Sequence, residues 1–236
     1  MPVLILLSPA KTFSNLAIET ETTPALYHAS LPLQKALQSL SLEALKKGMK
    51  LSDQHARRTH AMHQGLGKKA YEAIYTYHGQ VYRSLSYQTL SIAEKAYIDH
   101  HLMIVSGLYG LISPHDGISH YRLEMKDRTI TDLYQYWQPK IISYLKKHHQ
   151  GRLIISLLSA EYQKVISDIP HIQINFVDEK RIPSMALKQL RGRFLRELAK
   201  KHAVTIADLK AIQVLTYAFD ANASTATQFI YRRDPS

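Results

Sequence analysis

Leu102-Met-Ile-Val105 runs into Ser106-Gly-Leu-Tyr-Gly-Leu-Ile-Ser-Pro-His-Asp-Gly-Ile-Ser-His-Tyr-Arg-Leu-Glu-Met125. The reading of this stretch decides the fold. Four apolar residues make a short buried strand, and Gly107, Gly110, Gly117, a proline and a set of polar side chains follow at once. A buried strand feeding a constrained loop at its carboxyl end is the arrangement of an α/β sheet with a site at its strand ends. The loop carries Ser106, Tyr109, His115, Asp116, His120, Tyr121, Arg122 and Glu124. On chemistry alone it reads equally as a functional loop or as a tight turn pinned by a bridge from Arg122 to a carboxylate.

The same signature occurs twice more. Val3–Leu7 is a central strand ending in Ser8-Pro-Ala-Lys-Thr12, and Arg152-Leu-Ile-Ile-Ser-Leu157 is a strand ending in Leu158-Ser-Ala-Glu-Tyr162. Lys11 is the only lysine or arginine in the first thirty residues. It reads as an anion ligand, an amine nucleophile or a surface lysine. If the three strands are parallel, their loops share one side of the sheet. Ile172–Val177 adds a strand and Phe229-Ile-Tyr-Arg232 a last, edge strand. Residues 13–30 read as an extended connection and His78-Gly-Gln-Val-Tyr-Arg83 as a turn with a short extended piece. Helical patterns cover Leu31–Met49, a segment capped by Ser52-Asp53 and ending near His63, and a segment from the capping box Ser91-x-x-Glu94 to near His100. Thr131–His149 and a short segment from Thr205 to Leu209 follow the same pattern. Leu133, Tyr134, Trp137, Ile141, Tyr144 and Leu145 recur at helical spacing and read as core rather than as base-stacking groups. No Pro/Gly/Ser-rich linker divides the chain. The expectation is one α/β domain over residues 1–236 built on a mixed sheet, with 50–78 as a protruding subdomain.

Charge is the strongest global signal. The 236 residues carry a net charge of +11 and a pI near 9.6, which favours a polyanionic partner such as nucleic acid. Two segments concentrate it. In Gln64-Gly-Leu-Gly-Lys-Lys-Ala70 a Gly-apolar-Gly turn between helical patterns has the form of a helix–hairpin–helix, though a plain αα-corner has it too. In the former, Gly65 and Gly67 and the next helix's free N–H groups face a DNA phosphate, with Lys68 and Lys69 adding charge and Arg57 and Arg58 on the preceding helix. Residues 180–201 hold eight basic residues, Arg191 and Arg193 among them, against one acidic residue, Glu197. Leu187, Leu190, Phe194, Leu195 and Leu198 bury one face of that helix, so the basic groups crowd the other. The absence of cysteine excludes disulfides, thiolate chemistry and cysteine-ligated metals. No segment approaches the roughly 20 apolar residues of a membrane span; a soluble, cytoplasmic protein is expected, with no cofactor. His115, Asp116, His120 and Glu124, or His60 and His63, are the sets able to offer iron ligands. With 13 histidines in the chain such sets arise by chance, and no metal site is assigned.

Ser8-Pro-Ala-Lys-Thr12, Gly79-Gln-Val-Tyr82, Val105-Ser-Gly-Leu-Tyr-Gly-Leu111, Tyr121-Arg-Leu-Glu-Met125, Asp132-Leu-Tyr-Gln-Tyr-Trp137, Ser159-Ala-Glu-Tyr162, Phe176-Val-Asp178 and Arg191-Gly-Arg193 occur in this order. Together they closely resemble the YaaA family of peroxide stress proteins, once catalogued as a domain of unknown function. The resemblance runs from Pro2 to about Arg232. It implies a single α/β domain of unusual fold with a positively charged cleft and a helix–hairpin–helix element. It also implies DNA binding and a role in limiting damage linked to intracellular iron during peroxide stress. Lys11, Tyr109, Asp116, Tyr121, Arg122, Glu124, Glu161 and Arg191 are the positions it marks. Two departures, Ser156-Leu-Leu-Ser159 where the family often has an asparagine and Leu190-Arg-Gly192 where it usually has Ala-Arg-Gly, leave the charged groups in place.

The expected function is sequence-independent DNA binding through phosphate contacts, by Arg57, Arg58, Gly65, Gly67, Lys68, Lys69, Arg191 and Arg193. An enzyme acting on DNA or nucleotides is the alternative, with Lys11, Asp116 and Glu124 as catalytic candidates in a cleft lined by Ser8, Tyr109, Tyr121, Arg122, Ser159 and Glu161. Direct iron binding is a further alternative.

Overall fold

Apolar runs flanked by turn residues set the strands, and three of them are buried along all or nearly all of their length. Val3–Leu7 (β1) and Leu102–Ser106 (β3) are buried at every position, and Leu153–Leu157 (β6) at all but the first. β1 pairs in parallel with both neighbours, Leu7 opposite Ile104 on one side and Leu157 on the other. In the computed structural model, which describes residues 3–16 and 18–234, the chain is a mixed α/β structure around a seven-stranded sheet. Pro2, where the family resemblance begins, and Ala17, within the 13–30 connection, lie outside the described residues.

The sheet order is β4-β3-β1-β6-β7-β9-β8. Gly110–Ile112 (β4) folds back antiparallel on β3 and forms one edge. Ile172–Val177 (β7) continues the parallel run beyond β6. Gln228–Arg233 (β9) is parallel to β7, and Tyr217–Phe219 (β8) closes the other edge antiparallel to it. The strand expected at the edge is thus internal, and the edge belongs to a three-residue strand too short to show in the sequence pattern. A separate ribbon pairs Tyr71–Glu72 (β2) with Gly117–Ile118 (β5).

Ten α-helices accompany the sheet among the described residues: Tyr27–Ser39 (α1), Leu42–Gly48 (α2), Asp53–Gln64 (α3), Ala73–Thr76 (α4), Gln80–Leu85 (α5), Ile92–His101 (α6), Leu133–His148 (α7), Ala160–Gln163 (α8), Ser184–Lys200 (α9) and Ile206–Lys210 (α10). The single helix expected over Leu31–Met49 is two. Leu40 is extended and the Ser41 side chain accepts from the Ala44 N–H, starting α2. The Ser91–Glu94 capping box is present, and Asp132 caps α7 by accepting from Tyr134 and Gln135 N–H groups. Leu133, Trp137, Ile141 and Leu145 of α7 are buried, as their spacing predicts, while Tyr134 and Tyr144 are only half-buried and pack at the edge of the core. Residues 80–83, part of the segment 78–83 read as a turn and a short extended piece, are helical and belong to α5, along which α9 packs. A Cβ on Gly192 of α9 would collide with the Val81 carbonyl oxygen, so this close crossing of the two helices requires glycine there.

The hairpin departs from expectation. After α3 the chain turns at Gly65–Lys68 and then enters β2 rather than a helix, and only the four residues of α4 follow. The amides of the turn are all occupied: Gly65 N–H donates to the Met62 carbonyl, Leu66 to His63, Gly67 to Ser119 Oγ (3.3 Å) and Lys68 to Gly65. No helix N-terminus points outward at Lys68–Ala70, and the turn keeps no N–H group free for a phosphate. The pairing of Tyr71 with Ile118 and Glu72 with Gly117 overrides the helical propensity of the segment. Among the described residues no helix is long and apolar enough to cross a membrane.

Candidate functional site

Because β1, β3 and β6 are parallel, the chain segments beyond their carboxyl ends converge, as expected of a parallel sheet. They line a cleft of about 840 Å³. One wall is Ser8–Thr12, a second Tyr121–Glu124 with Lys126, a third Leu157 and Ser159–Tyr162. Gly79–Arg83 at the start of α5 and Ser184, Met185, Lys188 and Arg191 of α9 complete it.

Hydrogen bonds stitch the walls together. Ser8 Oγ accepts from the Ser159 N–H at 3.0 Å, and the Ser8 carbonyl accepts from the Tyr82 hydroxyl at 3.0 Å. Lys11 Nζ lies 2.7 Å from Glu124 Oε1, which joins the first wall to the second. Lys126 links the second to the third. Its N–H donates to Glu161 Oε1 at 3.1 Å, and its Nζ sits 3.6 Å from Glu124 and 3.8 Å from Glu161. Burial alone would raise the Glu124 pKa, but the Lys11 hydrogen bond and the charges of Lys11, Lys126 and Arg122 outweigh it and hold the carboxyl below its ordinary range. Glu124 is therefore an anion already neutralised by lysines.

Below the second wall sits a hydroxyl chain. The Tyr121 hydroxyl lies 2.8 Å from that of Tyr77 and 2.7 Å from Ser106 Oγ, and Ser106 Oγ accepts from the Leu108 and Tyr109 N–H groups at 3.1 Å. Burial raises the Tyr77, Tyr82, Tyr121 and Tyr162 pKa values, so these phenols stay neutral. His63 of α3 clamps the backbone of Arg122 through Nε2, 3.2 Å from its carbonyl and 3.3 Å from its nitrogen. Burial lowers the His63 pKa to about 4, so its ring is neutral.

The cleft brings together Ser8, Lys11, Tyr121, Arg122, Glu124, Ser159, Glu161 and Arg191. It excludes two loop residues marked by the sequence. Asp116 accepts from the Ser113 N–H at 2.7 Å, closing its own turn. The buried Tyr109 hydroxyl accepts from the Ser119 N–H at 3.0 Å and supports the loop from beneath. Gly65, Gly67, Lys68, Lys69, Arg57, Arg58 and Arg193 also lie off the cleft lining. Lys69 pairs with Glu19 at 2.7 Å, whereas Arg57, Arg58, Lys68 and Arg193 are exposed. The histidines marked for metal are engaged elsewhere. His115 sits between Glu72 (2.7 Å) and Asp99 (3.0 Å), and His120 stacks on Phe13. Among the described residues no group of three or more His, Asp or Glu is gathered as a metal site would require.

Tyr82, Arg83, Lys126, Tyr162, Met185 and Lys188 line the cleft without having been singled out as site residues. Signals for some of them were present: Tyr82 ends a quoted motif, Lys126 follows another, and Lys188 precedes Arg191 by three residues on one helix. Arg191 differs from the other cations. Its Nε is buried with no hydrogen-bond partner among the described residues, and burial lowers its pKa.

The chain matches the family described as "Peroxide stress protein YaaA" over residues 3–223. Similar curated proteins include one from Marinomonas sp. (strain MWYL1), 33% identical over 252 residues that cover 98% of this chain and 97% of the relative. One from Francisella philomiragia subsp. philomiragia is 30% identical over 259 residues, covering 98% of this chain and all of the relative. Both carry the name UPF0246 protein. Arrived at by its motifs, by a match over nearly its whole length and by relatives of the same extent, the chain belongs to the YaaA family of peroxide stress proteins.

Proposed function

We propose that this protein binds DNA in the peroxide stress response, through phosphate contacts made around the cleft, and so limits oxidative DNA damage linked to intracellular iron. One observation carries the reading. Among the cleft-lining side chains Lys11, Arg83, Arg122, Lys126, Lys188 and Arg191 are basic and only Glu124 and Glu161 are acidic. A concave surface with that excess focuses the field of a chain already at +11 and draws in phosphates regardless of base sequence. Arg57, Arg58 and Lys68 form a second, peripheral set of exposed cations. Binding of a labelled duplex and a four-way junction, followed by fluorescence anisotropy at low salt, tests the reading, and no binding of either overturns it.

A second reading, an enzyme acting on DNA or nucleotides, is favoured by the 2.7 Å approach of Lys11 Nζ to Glu124. An amine attacks a sugar carbon only after losing a proton, and Glu124 is the group placed to receive it. Borohydride trapping of a covalent complex with abasic DNA, abolished by Lys11→Ala, is the result expected of that reading. Trapping that survives the substitution removes the lysine from the mechanism.

A further inference from the structure

A duplex and the cleft do not match in size. The major groove alone is about 12 Å wide, and the rod that bears it cannot enter a cavity of about 840 Å³. Cavities of roughly 300–1,000 Å³ bury small ligands instead. The phosphates of a paired duplex therefore meet the rim, where Arg83, Lys126 and Lys188 are exposed.

Arg191 is set apart from that rim by its buried Nε, which has no partner among the described residues. A buried guanidinium N–H left unpaired is costly, and the planar fork of arginine matches the oxygens of a phosphate. The two carboxylates of the cleft are already committed, Glu124 to Lys11 and Lys126, and Glu161 to Lys126. What Arg191 lacks is an anion from outside. The adjoining lining is apolar and aromatic. Tyr82 and Tyr162 are buried, with the Tyr82 hydroxyl spent on Ser8, while Met185 on α9 presents an exposed thioether. Aromatic and thioether surfaces suit the flat face of a base.

We propose that the cleft takes a single unpaired nucleotide, its phosphate held by Arg191 and its base laid against the wall formed by Tyr82, Tyr162 and Met185. For a nucleotide within a strand the inference rests on the DNA-binding reading. A free nucleoside monophosphate has the same chemistry, and the test separates the two sources. Wild-type protein and Arg191→Met are titrated with a fully paired duplex and with the same duplex carrying a one-nucleotide bulge, using fluorescence anisotropy. Calorimetry with each of the four deoxynucleoside 5′-monophosphates runs alongside. The bulged duplex is expected to bind wild type at least about tenfold more tightly than the paired one, a difference of about 1.4 kcal/mol, and Arg191→Met to abolish the difference. Heat from a monophosphate, lost in Arg191→Met, supports the pocket and identifies free nucleotides as a source. Equal affinity for the two duplexes, with no heat from any monophosphate, overturns the pocket and leaves DNA binding standing. Monophosphate binding without binding of either duplex overturns the DNA-binding reading and retains the pocket. The wild-type comparisons hold whether or not the variant folds.

Discussion

Lys11 and Glu124 show how one contact fixes the state of the site. Half-buried in the second wall, Glu124 is pushed toward the neutral form by desolvation and pulled back by the lysines, and the lysines win. Lys11→Met removes the 2.7 Å partner and leaves burial opposed only by Lys126 and Arg122. The Glu124 pKa is then expected to rise, read from its side-chain carboxyl signal in an NMR pH titration; an unchanged value would mean that Lys126 and Arg122 suffice to set it. His63 acts with the opposite logic. Its folded pKa of about 4 lies below an ordinary 6.5, so between those values the unfolded chain binds the extra proton. Stability therefore rises with pH across that window and is lost as pH falls from 6.5 toward 4, by up to about 3 kcal/mol from this residue. His63→Gln is expected to flatten the fall by about that amount in urea unfolding measured at pH 4.5 and 7. Arg191→Met bears on the cost of an unpaired charge. Replacing a half-buried guanidinium whose buried Nε has no partner among the described residues by an apolar chain of similar length is expected to raise the melting temperature of the ligand-free protein, as checked by calorimetry. A lower melting temperature would point to a structural role for the charge.

Among the elements, the pair α5 and α9 positions the cleft's basic side. Gly192 lets α9 lie on the backbone of α5, and from that crossing Lys188 and Arg191 reach the cleft while Arg196 donates to the Leu85 and Ser86 carbonyls at the end of α5. Gly192→Ala is expected to cost roughly 1–3 kcal/mol by overpacking, measured by urea unfolding, and to weaken DNA binding along with it because Arg191 is the adjacent residue. A variant as stable as wild type would mean that the helices separate without strain. This crossing also marks the limit of what was legible in the sequence. β1, β3 and β6 could be read because each is a largely apolar, buried run, and β7 because buried Ile172, Ile174 and Phe176 alternate with half-buried residues; both patterns are local. α5 could not, since Gln80–Leu85 has no helical periodicity of its own and owes its form to a helix about a hundred residues later. The same holds for Gly65–Lys69. Its composition is that of a phosphate-binding hairpin, but Ser119, fifty residues on, takes the Gly67 N–H and gives its own hydroxyl to the Lys69 carbonyl. Asp116 looked catalytic because it is acidic and sits in a polar loop, yet the Ser113 amide three residues away occupies it.

At the scale of the whole molecule, the proposed DNA binding would set two groups of cations in competition: those around the cleft and the exposed Arg57, Arg58 and Lys68 beside the hairpin. A net charge of +11 attracts DNA from any direction, so affinity at one salt concentration cannot separate them. The dependence on salt can. Each phosphate neutralised releases counterions and contributes about −0.9 to the slope of log K against log salt for duplex DNA. If the duplex rests on the cleft rim, Arg83→Ala with Lys188→Ala removes two contacts and lowers the magnitude of the slope by about 2. Arg57→Ala with Arg58→Ala then changes it by much less. The reverse ranking would place the duplex along α3 and leave the cleft to smaller anions. Lys11, Lys126 and Glu124 make a third arm informative. The two lysines are already paired with carboxylates, so a phosphate that reaches them must displace Glu124 or Glu161 rather than a counterion. Lys11→Ala is accordingly expected to lower the slope by less than one full contact, measured in the same titrations. A full loss of about 0.9 would mean that the Lys11–Glu124 pair opens when DNA binds and that the lysine turns to the phosphate.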